Sequence, residues 1–468
     1  KFGALRGGYY PLKYDTRLSE RASVLDEKQA VKEAFGGTWA RAQTRQGHLK
    51  ARSENVTLPV LLDLGVAPQH IENDVHEITH RRAIHDVHKL LHDSRIETEI
   101  KAVMGTEFYR RLNPWLMEVA SDRSPPAPNY VNDILRHARH GMTVVSMGWK
   151  FSTAILQPLG YTQSVALLGE FYALKGLKDF YAKPWELPAR LKFITDRSPM
   201  MRNRMTTFDR DVREFGKKFG ARGAFSEIEA TFFAGIGIAD MMVSAPTWLG
   251  GYAQGMELFK NDEAKAVDHA DKMVRQSQGS GSAKDLAAIQ RGGDVQKIFT
   301  MFYSYFSVLN NMLRRTKRQR RRAMDVPRTV LSMIYLVVLP AVMSELILGR
   351  GPDDDEGWAE WAAKKSLAYP LMSWAVTRDL VSPAVNGYGY QLSPVATALE
   401  FGADTIKAAS EGDFDETFAK PAVNALGVWL KLPSRQFWLT GNYLGEYFSG
   451  EVDQFSLYEM LVTGDRDK

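Results

Sequence analysis

The sequence predicts an all-α protein, and three observations carry that prediction. Apolar residues recur three and four positions apart through most of the chain, period-two alternation is scarce, and the hairpin-marking Asn-Gly pair occurs only at Asn386-Gly387. The expected architecture is an elongated multi-helix bundle with long loops and one very apolar helix or helical hairpin near residues 297–348. With 468 residues, 44% of them hydrophobic and 25% charged, the composition excludes collagenous, low-complexity and wholly disordered chains. No repeat of fixed period marks a solenoid. Cysteine is absent, which removes disulfide scaffolds, thiolate metal sites and thiol catalysis, so packing must hold the fold. The chain begins at Lys1 without an apolar signal core, and reads as a piece of something longer.

Three stretches too rich in Pro, Gly or acid to continue a helix divide the chain: 124–128 (SPPAP), 278–283 (QGSGSA) and 349–356 (GRGPDDDE). They delimit an N-terminal helical region with a His-rich helix (1–123), a central helical core (130–278), an apolar helical hairpin with a basic loop (284–350) and a C-terminal helical region (357–468). In the first region amphipathic helices are expected over 16–35 and 70–99. In the second, apolar helices are expected over 141–174 and 231–251, where Gly235, Gly237, Gly250 and Gly251 permit close helix contacts.

The helix expected over 70–99 holds six histidines within 23 residues, and 76–80 (HEITH) fits the H-E-x-x-H pattern. His76 and His80, one turn apart, can ligate zinc, with Glu77 as the base that activates a bound water. The extended pattern puts Asp86 at the position of a third ligand, with Glu97 and Glu99 as alternatives. Ala83 stands where a turn-forming Gly belongs, so a continuous helix carries Asp86 away. The competing reading is a metal-free amphipathic helix that buries Ile71, Val75, Ile78, Ile84, Val87 and Leu91, and it is preferred.

The third region is the least ordinary. Residues 297–313 (KIFTMFYSYFSVLNNML) are apolar and aromatic around nearly the whole helix, and 330–348 is a 19-residue apolar run interrupted by Ser332, Pro340, Ser344 and Glu345. A helix of that length spans about 28 Å, near the roughly 30 Å hydrocarbon core of a bilayer. Between the two runs lie Arg314, Arg315, Lys317, Arg318, Arg320, Arg321 and Arg322, and the net charge of +5 becomes −2 once these seven are removed. The acids of 353–356 follow the run, so its flanks match the positive-inside rule with the N-terminal end cytoplasmic. Candidate membrane-proximal residues are Phe299, Phe302, Tyr303, Tyr305, Phe306, Leu331, Ile334, Tyr335, Leu336, Leu339 and Leu346. The alternative is a buried core helix with Glu345 paired and Pro340 kinking it. The seven cations can meet anionic lipid, grip DNA phosphates or form a solvated face; without interleaved aromatics, sequence-specific reading of nucleic acid is disfavoured.

Other chemistry lacks its signals. There is no Walker A loop, no dinucleotide fingerprint after a strand and no serine-hydrolase elbow, so no active site or cofactor is nominated and the chain is expected to be non-enzymatic.

Five ordered phrases carry a resemblance: 149–170 (WKFSTAILQPLGYTQSVALLGE), 198–204 (SPMMRNR), 245–252 (APTWLGGY), 271–292 (DKMVRQSQGSGSAKDLAAIQRG) and 299–313 (FTMFYSYFSVLNNML). With the apolar run they cover roughly 130–375 and resemble the helical regions of giant phage polyproteins and the internal virion, or ejection, proteins of short-tailed bacteriophages. The phrases read as packing and turn positions. The resemblance implies storage inside the virion, then assembly in the host cell envelope (periplasm and inner membrane) as part of a DNA-translocation tunnel. It further implies a homo-oligomer whose partners are other ejection proteins, portal or tail components, phage double-stranded DNA held non-specifically and the host inner membrane. No lytic transglycosylase pattern is present. A non-catalytic structural region of a giant virion enzyme, such as a virion RNA polymerase, is the alternative.

Overall fold

The structure, a computed structural model, describes residues 59, 66–121, 130–204, 223–282, 284–291, 297, 300, 303–319, 326–352, 356–371, 394–411, 416–452 and 454–463. Every regular element among them is helical, and the protein is all-α. The helix expected over 16–35 lies outside the described residues. The chain divides into two compact units, Lys1–Pro126 and Ala127–Lys468.

In the first unit, α1 (Val66–Leu91), α2 (Ser94–Met104) and α3 (Thr106–Ser121) follow one another with minimal connections. The helix expected over 70–99 is broken because Asp93 caps α2, its carboxylate accepting from the Arg95 amide at 3.0 Å. Gly105, at φ 89°, ends α2 in a conformation that favours glycine. Ile84 packs with Leu116 and Ala120, flanked by Val87, Leu91 and Trp115, and the Tyr109 hydroxyl donates to the Leu91 carbonyl at 2.6 Å. Only the C-terminal half of α1 joins this cluster. Ile71, Val75 and Ile78, expected on the buried side, are exposed, because among the described residues the apolar side chains of α3 meet α1 from Ile84 onward.

The second unit begins with α4 (Tyr130–Met147), α5 (Phe151–Leu156), α6 (Tyr161–Leu168) and α7 (Glu170–Tyr181). These replace the single apolar helix expected over 141–174. Backbone conformation explains the difference: Trp149 adopts φ 51° after Gly148, Pro158 opens a 3₁₀ turn at Gln157–Gly160, and Gly169 has φ 79°. Trp149 is held in place by its amide, which donates to the Phe232 carbonyl at 2.9 Å, and by edge-on contacts with Phe232 and Phe437. After α8 (Leu187–Arg197) and the short α9 (Pro199–Arg202) comes α10 (Gly223–Leu258), whose 36 residues span about 54 Å. It is apolar around its circumference and accordingly sits in the core.

Small residues decide how closely α10 is approached. On one side it meets α11 (Glu263–Ser277) across a seam of Gly251 and Gly255 facing Ala270 and Ala266: a Cβ added at Gly255 would lie 2.8 Å from the Ala266 Cα, and one at Gly251 3.1 Å from that of Ala270. On the other, Gly176 of α7 lies against the Pro246 carbonyl and the Gly250 backbone, leaving no room for a Cβ. Gly250 and Gly251 thus have the role expected of them, whereas Gly235 faces open space. Phe180, Ile194, Met201, Trp248, Leu249 and Val274 fill the core around these crossings.

Polar side chains zip the same core. Arg204, almost fully buried, reaches Asp240 at 2.8 Å, the Ser244 hydroxyl at 2.7 Å and the Gly279 carbonyl at 2.9 Å. Asp271 accepts from the Ser198 hydroxyl at 2.7 Å and the Trp248 indole at 2.8 Å. The Gln278 amide donates to the Gly160 carbonyl and to Ser164, whose hydroxyl also meets those of Thr247 and Ser277. Four of the five phrases quoted above therefore converge here: 149–170 supplies Gly160 and Ser164, 198–204 supplies Ser198 and Arg204, 245–252 supplies Thr247 and Trp248, and 271–292 supplies Asp271, Ser277 and Gln278.

The remaining helices are α12 (Ser304–Gln319), α13 (Val326–Ile347), α14 (Trp358–Leu371), α15 (Pro394–Glu411), α16 (Glu416–Leu430) and α17 (Ser434–Ser449). Gly141 of α4 lies against the Val428 backbone of α16, and Ser434 donates to Asn424.

Gly176→Ala is expected to destabilise the chain by about 1–3 kcal/mol through overpacking, while Gly235→Ala, in open space, is neutral or stabilising by up to about 1 kcal/mol. Equilibrium urea unfolding of the two variants checks the pair. Arg204→Met leaves Asp240 buried without its cation and is expected to lose about 3–5 kcal/mol in the same measurement.

Candidate functional site

Two helices among the described residues are long and apolar enough to cross a membrane, and packing separates them. In Thr231–Leu258, the apolar part of α10, 72% of the most apolar window is buried, against 22% in α13. Among the described residues α13 is covered on one side only. Leu336 and Val337 pack against Leu309 and Met312 of α12, bordered by Leu167, Val308 and Tyr369. Away from that contact, Val330, Leu331, Met333, Ile334, Val338, Met343 and Leu346 are exposed, Val330 by 54%.

The expected interruption at Pro340 takes a specific form. Residues Ile334–Val338 form a π turn, with the Leu339 amide donating to the Ile334 carbonyl five residues back. Proline cannot donate to the carbonyl four residues earlier and its ring crowds it; the wider turn relieves that crowding and keeps the helix continuous. Glu345 is answered by Lys365 of α14 at 3.4 Å, with both side chains largely buried, so the one acid in the apolar run is paired inside the unit. The Tyr458 hydroxyl donates to the Ile347 carbonyl near the end of α13.

The residues singled out from the sequence thus part company. Leu331, Ile334 and Leu346 are exposed, Tyr335 and Leu339 half-buried, and Leu336 fully buried. Tyr303 is buried and precedes α12, which begins at Ser304; Lys297, itself helical, is separated from it by a turn at Thr300. Tyr305 and Phe306 are half-buried, and the Tyr305 hydroxyl meets that of Tyr369 at 2.7 Å. Phe299 and Phe302 lie outside the described residues. Of the basic cluster, Arg314 and Arg315 are exposed on the last turns of α12; Lys317 and Arg318 lie on that helix but their side chains, like Arg320, Arg321 and Arg322, fall outside the described set.

The other end of α13 carries cations that the linear sequence does not bring together. Arg435 and Arg350 are near enough to act on Lys150, and burial together with those two guanidiniums pushes the Lys150 ammonium down to about 8. The sequence showed only the acids of 353–356 at this end; Asp353, Asp354 and Asp355 lie outside the described residues. Lys150 and Arg435 were missed because they join the site from far along the chain, and Lys365 because its pairing with Glu345 depends on how α14 folds back on α13.

In the first unit, His80 lies on α1 with its ring 2.8 Å from the Thr79 hydroxyl, while the side chains of His76 and Glu77 are outside the described set. Asp86 is exposed beside His85, Glu97 pairs with Lys101, and the rings of His88 and His92 stack at 4.1 Å. Among the described residues no three His, Asp or Glu side chains are grouped to hold a metal.

Because its folded-state value lies below the ordinary lysine value near 10.5, Lys150 opposes folding at neutral pH. Between about pH 8 and 10.5 the unfolded chain binds the extra proton, so this contribution improves as pH rises. Lys150→Met is expected to stabilise the chain at pH 7 by on the order of 1–2 kcal/mol after solvent screening, and to lose that advantage by pH 10.5. Urea titrations of both chains at the two pH values check this.

No family model, curated protein or solved structure matches this chain.

Proposed function

We propose that this chain is a non-enzymatic internal virion protein of the short-tailed phage type, which leaves the capsid and assembles in the host envelope as part of a conduit for double-stranded DNA. The observation that carries this reading is the uncovered apolar face of α13, set between exposed Arg314 and Arg315 and the cations at Lys150, Arg350 and Arg435. An apolar face flanked by cations gains from both acyl chains and anionic headgroups. With Leu336 and Val337 packed on α12 and Glu345 neutralised by Lys365, α13 can rest in the headgroup boundary in its present packing; crossing the bilayer requires it to part from α12. Head-to-tail self-association through other surfaces closes a ring of subunits, and the basic cluster then meets DNA phosphates without reading their sequence.

The convergence of four of the five phrases in buried packing rather than around a cleft favours the second reading, a structural region of a giant virion enzyme whose catalysis lies elsewhere.

Vesicle co-flotation tests the first reading, and the exposure of Ile334 makes it the right probe, since a charge at the buried Leu336 would disrupt the fold instead. Wild type is expected to float with anionic vesicles in high salt, and Ile334→Asp to float at least about tenfold less while keeping its helical circular dichroism, a charge in the apolar layer costing roughly 2.5–3.5 kcal/mol. Arg314→Gln with Arg315→Gln is expected to slow capture at low salt only. A wild-type chain that neither floats nor self-associates overturns the reading.

A further inference from the structure

A cavity of about 270 Å³ opens between the end of α11, the Gly/Ser-rich stretch after it and the face of α12. Its walls are polar where Arg275, Gln276, Ser304, Ser307 and Asn311 line them, and apolar at Leu167, Val308 and Met312. Several arginines of the second unit are already spent on carboxylates. Arg190 pairs with Glu186, Arg197 with Glu263 and Arg204 with Asp240. Among the described residues, Arg275 has neither a side-chain hydrogen bond nor a carboxylate partner, and Arg315 has a single bond, its Nη1 donating to the Gln276 Oε1 at 2.8 Å. A guanidinium has five N–H donors, so most of the donor capacity at this rim is unspent. Among the described residues Asp285, also lining the cavity, has no ion-pair partner; its Oδ2 accepts from the Ser280 hydroxyl at 2.9 Å, which leaves its other oxygen to a ligand.

We infer that this cavity binds a phosphate ester of a small polar alcohol, the phosphate lying between Arg275 and Arg315 and the alcohol's far end, a hydroxyl or an ammonium, donating to Asp285. Two guanidinium forks approaching from different helices, α11 and α12, suit a tetrahedral group with oxygens on several sides better than a planar carboxylate. The cavity lies at the small end of ligand pockets, which run from roughly 300 to 1,000 Å³, so it suits a headgroup-sized molecule and excludes a nucleotide. Ser304, Ser307 and Asn311 supply hydrogen bonds to the alcohol, and the buried Gln290, donating to Ser304 at 3.3 Å, fixes one of those hydroxyls. The site is distinct from the exposed face of α13 and needs no bilayer. Phosphate esters of this class exist free and as the headgroups of phospholipids, and both present the same atoms.

Isothermal titration of the purified full chain with glycerol phosphate and with phosphoethanolamine tests the assignment, with glycerate as the carboxylate control. Saturable binding of the phosphate esters is expected, with Arg275→Gln and Arg315→Gln each weakening it at least about tenfold. Asp285→Asn should weaken phosphoethanolamine more than glycerol phosphate. Competition by phosphatidylglycerol or phosphatidylethanolamine vesicles identifies the lipid headgroup as the source; undiminished binding of the soluble ester identifies the free compound. Failure of wild type to bind either ester, binding that both arginine variants retain, or glycerate binding as tightly overturns the inference. Because the soluble esters involve no membrane, a failure here leaves the flotation result standing, and the reverse holds equally.

Discussion

A guanidinium withdrawn from water must be answered by groups that replace its hydration, and in the second unit those groups come from two separate stretches of chain, with the guanidinium itself on a third. Asp240 and Ser244 lie one turn apart on α10, and the Gly279 carbonyl lies just beyond α11; Arg204 joins them from the end of the α8–α9 segment. Such a group is stabilising only when all its partners arrive together, so it specifies one arrangement of the helices rather than adding much net stability. The Gly and Ala seam of α10 and α11 makes the same demand in steric terms, since the backbones can meet only in the register that sets Gly255 on Ala266 and Gly251 on Ala270. Charge and shape therefore select the same packing, and the features discussed below are built on it.

α13 is attached to this framework through α12 and α14, and its position follows from two compensations. Leu336 and Val337 find apolar neighbours on α12, and Glu345 finds Lys365 on α14. What is left over is a face for which this chain's described residues provide no cover. α10 is a useful contrast: longer and less apolar, yet still apolar enough to cross a bilayer, it is mostly buried. Both are long and apolar enough to span a bilayer, and burial is what separates them.

The helical class was legible in the sequence because a 3.6-residue period is a local property, and Gly250 and Gly251 were legible because a pair of glycines in an apolar helix has few other uses. The break of the stretch 141–174 was not, since Gly148 and Gly169 are compatible with a helix until Trp149 is claimed by Phe232 more than 80 residues on. The exposed face of α13 was hidden for a related reason: in its central turns, from Met333 to Met343, apolar residues surround the helix and no pattern says which side is covered. Lys150, Arg350 and Arg435 come from three regions of the sequence, and Arg275 and Arg315 from two helices, so charges that meet only in three dimensions left no trace in one.

The turn between α10 and α11 has a consequence for the order in which the molecule forms. Lys260 and Asn261 adopt left-handed backbone angles and Asp262 caps the next helix, its carboxylate accepting from the Lys265 amide, so α10 doubles back within four residues. Contacts so near in sequence close quickly, whereas those of Ser164 with Thr247 or Ser198 with Asp271 must wait for longer loops to close. The α10–α11 hairpin is thus the natural first-formed piece, and a chain stretched out and released again has a local template on which α6 to α9 can reassemble.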